Sequence, residues 1–166
     1  GSEMCIRDSL RSGFVAGDAS LIKQFLLYRT YHGGAMSPAV QAASVAAWND
    51  EEHVIDNRRQ YREKFAAATP LLAQALDVTL PDAAFYLWAG VPSSFEGRVP
   101  GLSADEAFAR ELLAQYNVTV LPGSYLARAV GGVNPGAGRV RMALVAEPAE
   151  CLEAAGRIVR FCQDNA

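Results

Sequence analysis

Between Ala75 and Pro81 the sequence changes its period. Downstream, AAFYLWAG, NVTVLPG and GRVRMALVA read as short apolar strands, with helical stretches after SADE and after Pro148. Their order is strand–helix–strand–strand–helix. Upstream there is one strand candidate, Gly13 to Asp18 (GFVAGD), followed by long helical stretches. One strand cannot close a sheet, because its backbone groups and its apolar side chains both need neighbours. The reading is therefore α/β, with a compact domain over 76–166 and a preceding stretch, 10–75, that is not self-sufficient.

Local signals place the elements. Leu21 to Tyr28 is a short helix, and TYHGGAMSP breaks the chain after it. Ser37 followed by Pro38 starts a helix that runs to about Trp48, with an oxygen at the cap and a proline in the first turn. In EEHVIDNRRQYREKFAAA, Val54, Tyr61 and Phe65 share one face, while Arg58, Arg59, Arg62, Glu63 and Lys64 sit mostly off it, as a solvated side. Pro70 marks a kink or a fresh start. A strand is expected around Ala84 to Ala89, and SADE (Ser103 to Glu106) is a capping box. The helix after it puts Phe108, Leu112 and Leu113 on one side. The last helix places Leu152, Ala155, Ile158, Val159 and Cys162 at helical spacing.

Composition excludes several classes. The 166 residues are 51% hydrophobic and 20% charged, with a net charge of −3 and a pI near 5.4. No basic stripe offsets the acidic total, so neither nucleic acid nor a membrane surface is an expected partner. No apolar run reaches the ~20 residues of a membrane span. Cys5, Cys151 and Cys162 form no CxxC motif or Cys/His cluster, and His32 and His53 lack metal-ligand spacing. The N-terminal stretch given lacks the apolar core of a secretory signal, and a cytoplasmic protein is expected.

Four features bear on chemistry. Arg11 precedes the GFVAGD strand candidate and is either surface decoration or an anion-gripping residue at a sheet edge. In GRVRMALVA, alternation puts Arg139 and Arg141 on one strand face and Val140 and Met142 on the other. That is either a carboxylate-binding surface or an amphipathic edge strand. VNPGAG and PGSY match neither dinucleotide nor P-loop fingerprints and read as loops. His32, in TYHGG, lies near two tyrosines but has no carboxylate orienter in sequence.

Taken together, LRSGFVAGD, YRTYHGGAMSPAVQAAS, the NRRQYREKF helix, AAFYLW, VTVLPGSYLAR and GRVRMALV occur in one fixed order from Leu10 to about Phe161. This order resembles the C-terminal part of class I/II aminotransferases, the pyridoxal-phosphate (PLP) enzymes of fold type I. YRTYHGGAMSPAVQAAS and NPGAGRVRMALV are most similar to the N-succinyl-diaminopimelate aminotransferases. The resemblance implies the tail of the large PLP-binding domain followed by the small α/β domain. It also implies amino-group transfer from a glutamate-like donor to a 2-oxo acid, in lysine or diaminopimelate biosynthesis, by a homodimer.

Residue roles follow from the same resemblance. Arg11 matches the arginine that holds the PLP phosphate. Arg141, in Arg141-Met142-Ala143, matches the clamp on the substrate α-carboxylate, and Phe85 matches an aromatic residue near the substrate. The family's usual glycine before AFY is Ala83 here. Tyr31 and His32 fall where these dimers approach the partner's active site.

The resemblance also implies a PLP-binding lysine upstream of Arg11, and the same spacing lands on Glu3; the chain's lysines are Lys23 and Lys64. That lysine makes the Schiff base and moves the proton, so this chain is expected to be an inactive fragment with no catalytic residue of its own. Residues 1–9 read as a non-native, adapter-like leader. The competing expectations are a non-catalytic α/β binding or interaction domain, and a fold-type-I aminotransferase of aspartate or aromatic specificity.

Overall fold

A computed structural model describes residues 12–166. Arg11, Cys5, Glu3 and residues 1–9, the stretch expected to be a leader, lie outside the described residues. By compactness the chain divides into two units, Gly1–Arg58 and Arg59–Ala166.

The first unit is helical. Helix α1 spans Ala19–His32, longer than the expected Leu21–Tyr28. Its start is set by the Asp18 carboxylate, which accepts from the backbone N–H of Ser20 (2.9 Å) and Leu21 (3.3 Å). Helix α2 spans Pro38–Trp48 and begins as expected, with Ser37 Oγ accepting from Val40 N and Pro38 in the first turn. Helix α3, Glu52–Leu72, starts in this unit and continues into the second. Gly13–Asp18 is not a strand: the described residues of this unit contain no other strand for it to pair with, and Phe14 and Val15 stay exposed. Among the described residues of this unit only Ser44 and Val54 are buried.

The second unit holds a core. Strands β1 (Tyr86–Gly90), β2 (Leu121–Pro122) and β3 (Arg139–Ala143) form an antiparallel sheet in the order β1-β3-β2. Helix α4 (Ala104–Tyr116) follows β1, the single turn α5 (Gly123–Leu126) follows β2, and α6 (Pro148–Asp164) closes the chain. This is the expected strand–helix–strand–strand–helix order. Leu87, Ala89, Val140 and Met142 alternate onto the buried sheet face. Phe95, Phe108 and Phe161, each fully buried, pack with ring centroids 5.1–5.4 Å apart.

Three details differ from expectation. Helix α3 runs through Pro70, so no fresh helix starts there, and it ends two residues later, at Leu72. Leu113 and Leu152 are exposed, and Ala109 and Cys151 take the buried positions beside them. An apolar stripe wider than one residue leaves the phase of a helix open by a position, and packing decides it. Lys64 is buried although its neighbours Arg62 and Glu63 are exposed. The capping box is as expected, with Ser103 N donating to Glu106 Oε2 at 2.8 Å.

Candidate carboxylate-binding site

The pairing register decides what surrounds the two arginines of β3. Arg141 lies opposite Trp88 on one side and Leu121 on the other, Arg139 opposite Gly90, and Ala143 opposite Tyr86. The less buried sheet face therefore gathers Tyr86, Trp88, Leu121, Arg139 and Arg141.

The arginines differ in their partners. Arg139 Nη2 lies 3.5 Å from Asp77 Oδ2, and Asp77 is held there by paired backbone hydrogen bonds with Gly90. Arg141 pairs with no carboxylate among the described residues. Its guanidinium carbon lies 5.5 Å from the centroid of the Tyr86 ring. Such a cation–π contact contributes about 0.5–1 kcal/mol at a part-exposed site and orients the charge without neutralising it. A half-buried guanidinium in that state can take a carboxylate through two parallel hydrogen bonds.

Phe85 contacts the same ring. It packs edge-on against Tyr86 with centroids 5.5 Å apart, and its carbonyl accepts from Leu144 N at 3.0 Å. Ala84, just before it, has φ 82°, in the left-handed region. Phe85 and Arg141 are thus brought together around Tyr86. Sequence reasoning did not single out Tyr86; alternation shows that it shares a face with Trp88, but only the register sets it beside Arg141.

The loop leading into β3 is held by Asp105. This fully buried carboxylate accepts from Ser124 N (2.9 Å) and Gly138 N (3.2 Å), tying the start of β3 to α5. Burial pushes the Asp105 carboxyl up, but hydrogen bonds from Ser124, Ser103 and Gly138 outweigh it and leave the group below its ordinary range. Asn134 adds a second tie, accepting from Gly136 N and donating to the Ser124 carbonyl. Gly123 and Gly136 meet backbone to backbone, and a Cβ on either would fall on the other's carbonyl oxygen. Those glycines serve close approach. Asp105 was also missed, since within SADE it reads only as first-turn charge.

Tyr31 and His32 lie in the first unit, on the exposed last turn of α1, where His32 stacks on Tyr28 at 4.4 Å. The same unit has an open, largely apolar cleft of about 580 Å³ beside Phe14, Ser44, Val45 and Trp48. Neither Tyr31 nor His32 lines it. Among the described residues no group of His, Cys, Asp or Glu is placed to hold a metal ion, and no helix is long and apolar enough to cross a membrane.

With fold and site in place, the comparisons with known proteins decide the family. The family model for "Aminotransferase class I and II" matches residues 9–158. The chain belongs to the class I and II aminotransferases. A crystal structure of an aminotransferase from Neisseria meningitidis is 57% identical, with a TM-score of 0.73 over 92% of this chain and 36% of that one. A "probable aminotransferase" of Mycobacterium tuberculosis is 37% identical over 152 residues, covering 89% of this chain and 32% of that protein. The structure of a "probable N-succinyldiaminopimelate aminotransferase" from Thermus thermophilus is 28% identical, with a TM-score of 0.64 over 87% of this chain and 35% of that one. The chain spans about a third of the length of the curated relatives it matches. Its α/β fold is that of the matching part of fold type I.

Aminotransferases of this class use PLP, and the described residues do not fit it. Lys64 is buried with its ammonium on the Leu144 carbonyl, and Lys23 lies on an exposed position of α1. The one phosphate-holding residue that the sequence suggested, Arg11, is outside the described residues.

Proposed function

We propose that this aminotransferase chain supplies the substrate-carboxylate clamp of a PLP-dependent transaminase, with Arg141 as the clamp and Phe85 as its aromatic neighbour. The observation that carries the reading is the contrast within β3. Arg139 is engaged by Asp77, while Arg141 is held over Tyr86 with its hydrogen-bonding edge uncommitted to any carboxylate. Tyr86 keeps the guanidinium oriented, Asp105 fixes the loop that leads to it, and the clamp sets which end of an amino or 2-oxo acid is bound.

The remaining roles are proposed for the whole protein. PLP, when bound, supplies the electron sink for amino-group transfer. Arg11 would hold its phosphate, and Tyr31 and His32 would contribute across a homodimer. A lysine beyond the two present here would carry the covalent chemistry, so the chain by itself is proposed inactive. The amino acceptor is proposed to be N-succinyl-2-amino-6-oxopimelate, in a cytoplasmic route to diaminopimelate and lysine. The support for that choice is the likeness to the Thermus thermophilus structure and the motif YRTYHGGAMSPAVQAAS. Domain limits of 10–75 and 76–166 are part of the same proposal.

The test is calorimetric titration of the chain with 2-oxoglutarate, the oxo acid of the proposed donor. Arg141→Ala is expected to abolish binding and Arg139→Ala to leave it within about threefold, since an exposed pair contributes about 0–1 kcal/mol. Equal losses in the two variants would refute the clamp assignment.

A further inference from the structure

Lys64 lies in the charged run NRRQYREK, yet its side chain is buried at 7% relative exposure. A buried ammonium is costly unless it is held by polar groups, and a methionine of similar length would fill the space without that cost. The use of the charge therefore lies in what it holds. Lys64 Nζ donates to the Leu144 carbonyl at 3.2 Å and sits 5.1 Å from the centroid of the Tyr61 ring, one helical turn back on α3. Leu144 N in turn donates to the Phe85 carbonyl at 3.0 Å, and the Tyr61 and Phe85 rings lie 6.3 Å apart.

These contacts close a ring of four residues: Lys64, Leu144, Phe85 and Tyr61. Leu144 directly follows β3, and Phe85 directly precedes β1. From Phe85 the contacts continue edge-on to Tyr86 at 5.5 Å, and from Tyr86 to the Arg141 guanidinium at 5.5 Å. We propose that Lys64 is a positioning residue for the carboxylate site, because its ammonium ties the end of β3 to α3 and so fixes Phe85 and, through Tyr86, the guanidinium of Arg141. The proposal rests on the reading of Arg141 as the clamp.

The experiment uses the full chain, Lys64→Met and Lys64→Arg, with 2-oxoglutarate as the probe and the Arg side-chain Nε–H resonances as a ligand-free readout. Lys64→Met is expected to weaken 2-oxoglutarate about tenfold, within the usual coupling of residues that share one network of contacts. It should also move the Arg141 Nε–H resonance while that of Arg139 stays in place. Lys64→Arg, which keeps a donor, is expected to restore both. Wild-type affinity and an unmoved Arg141 resonance in Lys64→Met would overturn the proposal. If Arg141→Ala also leaves 2-oxoglutarate affinity unchanged, the clamp reading fails instead, and the ligand-free resonance still decides the role of Lys64. If Lys64→Met does not fold, Tyr61→Leu breaks the same ring of contacts: a shift confined to Arg141 supports the proposal, and no shift overturns it.

Discussion

Arg139 and Arg141 are the same residue type two positions apart, and their partners make them different. The sequence placed both on one face. It did not show that Asp77, more than sixty residues upstream, engages one of them, because that pairing depends on a β-bridge between Asp77 and Gly90. Asp105 is a second residue whose role came from tertiary structure. Asp105→Asn is expected to cost about 3 kcal/mol in urea unfolding at neutral pH, because a buried N–H loses a charged acceptor. The folded-state pKa of Asp105 is depressed, so its stabilisation is full above the unfolded value of about 4 and is lost as pH falls through the lower folded value. Acidification below pH ~4 should therefore narrow the stability gap between wild type and Asp105→Asn; a constant gap would contradict the assignment. At Ala84, where φ is 82°, Ala84→Gly should raise stability by about 1 kcal/mol, because the left-handed region penalises a Cβ.

At the level of elements, the helix and strand order of the second unit was legible, because period and turn residues are local signals. The register was not. Tyr86 pairs with Ala143 across a long stretch of chain, and nothing local specifies such a partner. The glycine-rich loops show the same limit: their composition announced turns, while their purpose appears only where Gly123 meets Gly136. Gly136→Ala is expected to destabilise the chain by about 3 kcal/mol, as backbone is forced apart beside β3, whereas Gly156→Ala on α6 meets open space and no positive φ. Helix α6 supplies another check. Burial pushes the Cys162 thiol up to about 11 and raises that of Cys151. Both should resist iodoacetamide at pH 8 in the folded chain and react once it is unfolded in urea; rapid native-state labelling of Cys162 would contradict the packing of α6.

For the molecule as a whole, burial is concentrated in one unit. Tyr61, Phe65, Ala68 and Leu72, on the second half of α3, are buried with residues 59–166. The sequence instead suggested a division near residue 75, where its pattern changes, because the run from Glu51 to Ala68 reads as one helix and the change of environment within it leaves no mark in the sequence. The two divisions are separable by experiment. If compactness governs, residues 59–166 unfold cooperatively by calorimetry and residues 76–166 are markedly less stable; equal stability would favour the division near 75. Residues 1–58 alone should show no cooperative transition, as only Ser44 and Val54 are buried among the described residues there.

The central claim concerns Arg141, and titration of the ¹⁵N-labelled full chain with 2-oxoglutarate tests it most directly. The account predicts saturable shifts at the Arg141 Nε–H, Tyr86 and Trp88, with little change at the Arg139 Nε–H and none in Arg141→Ala. Saturable binding that spares Arg141, or that persists unchanged in Arg141→Ala, would contradict it.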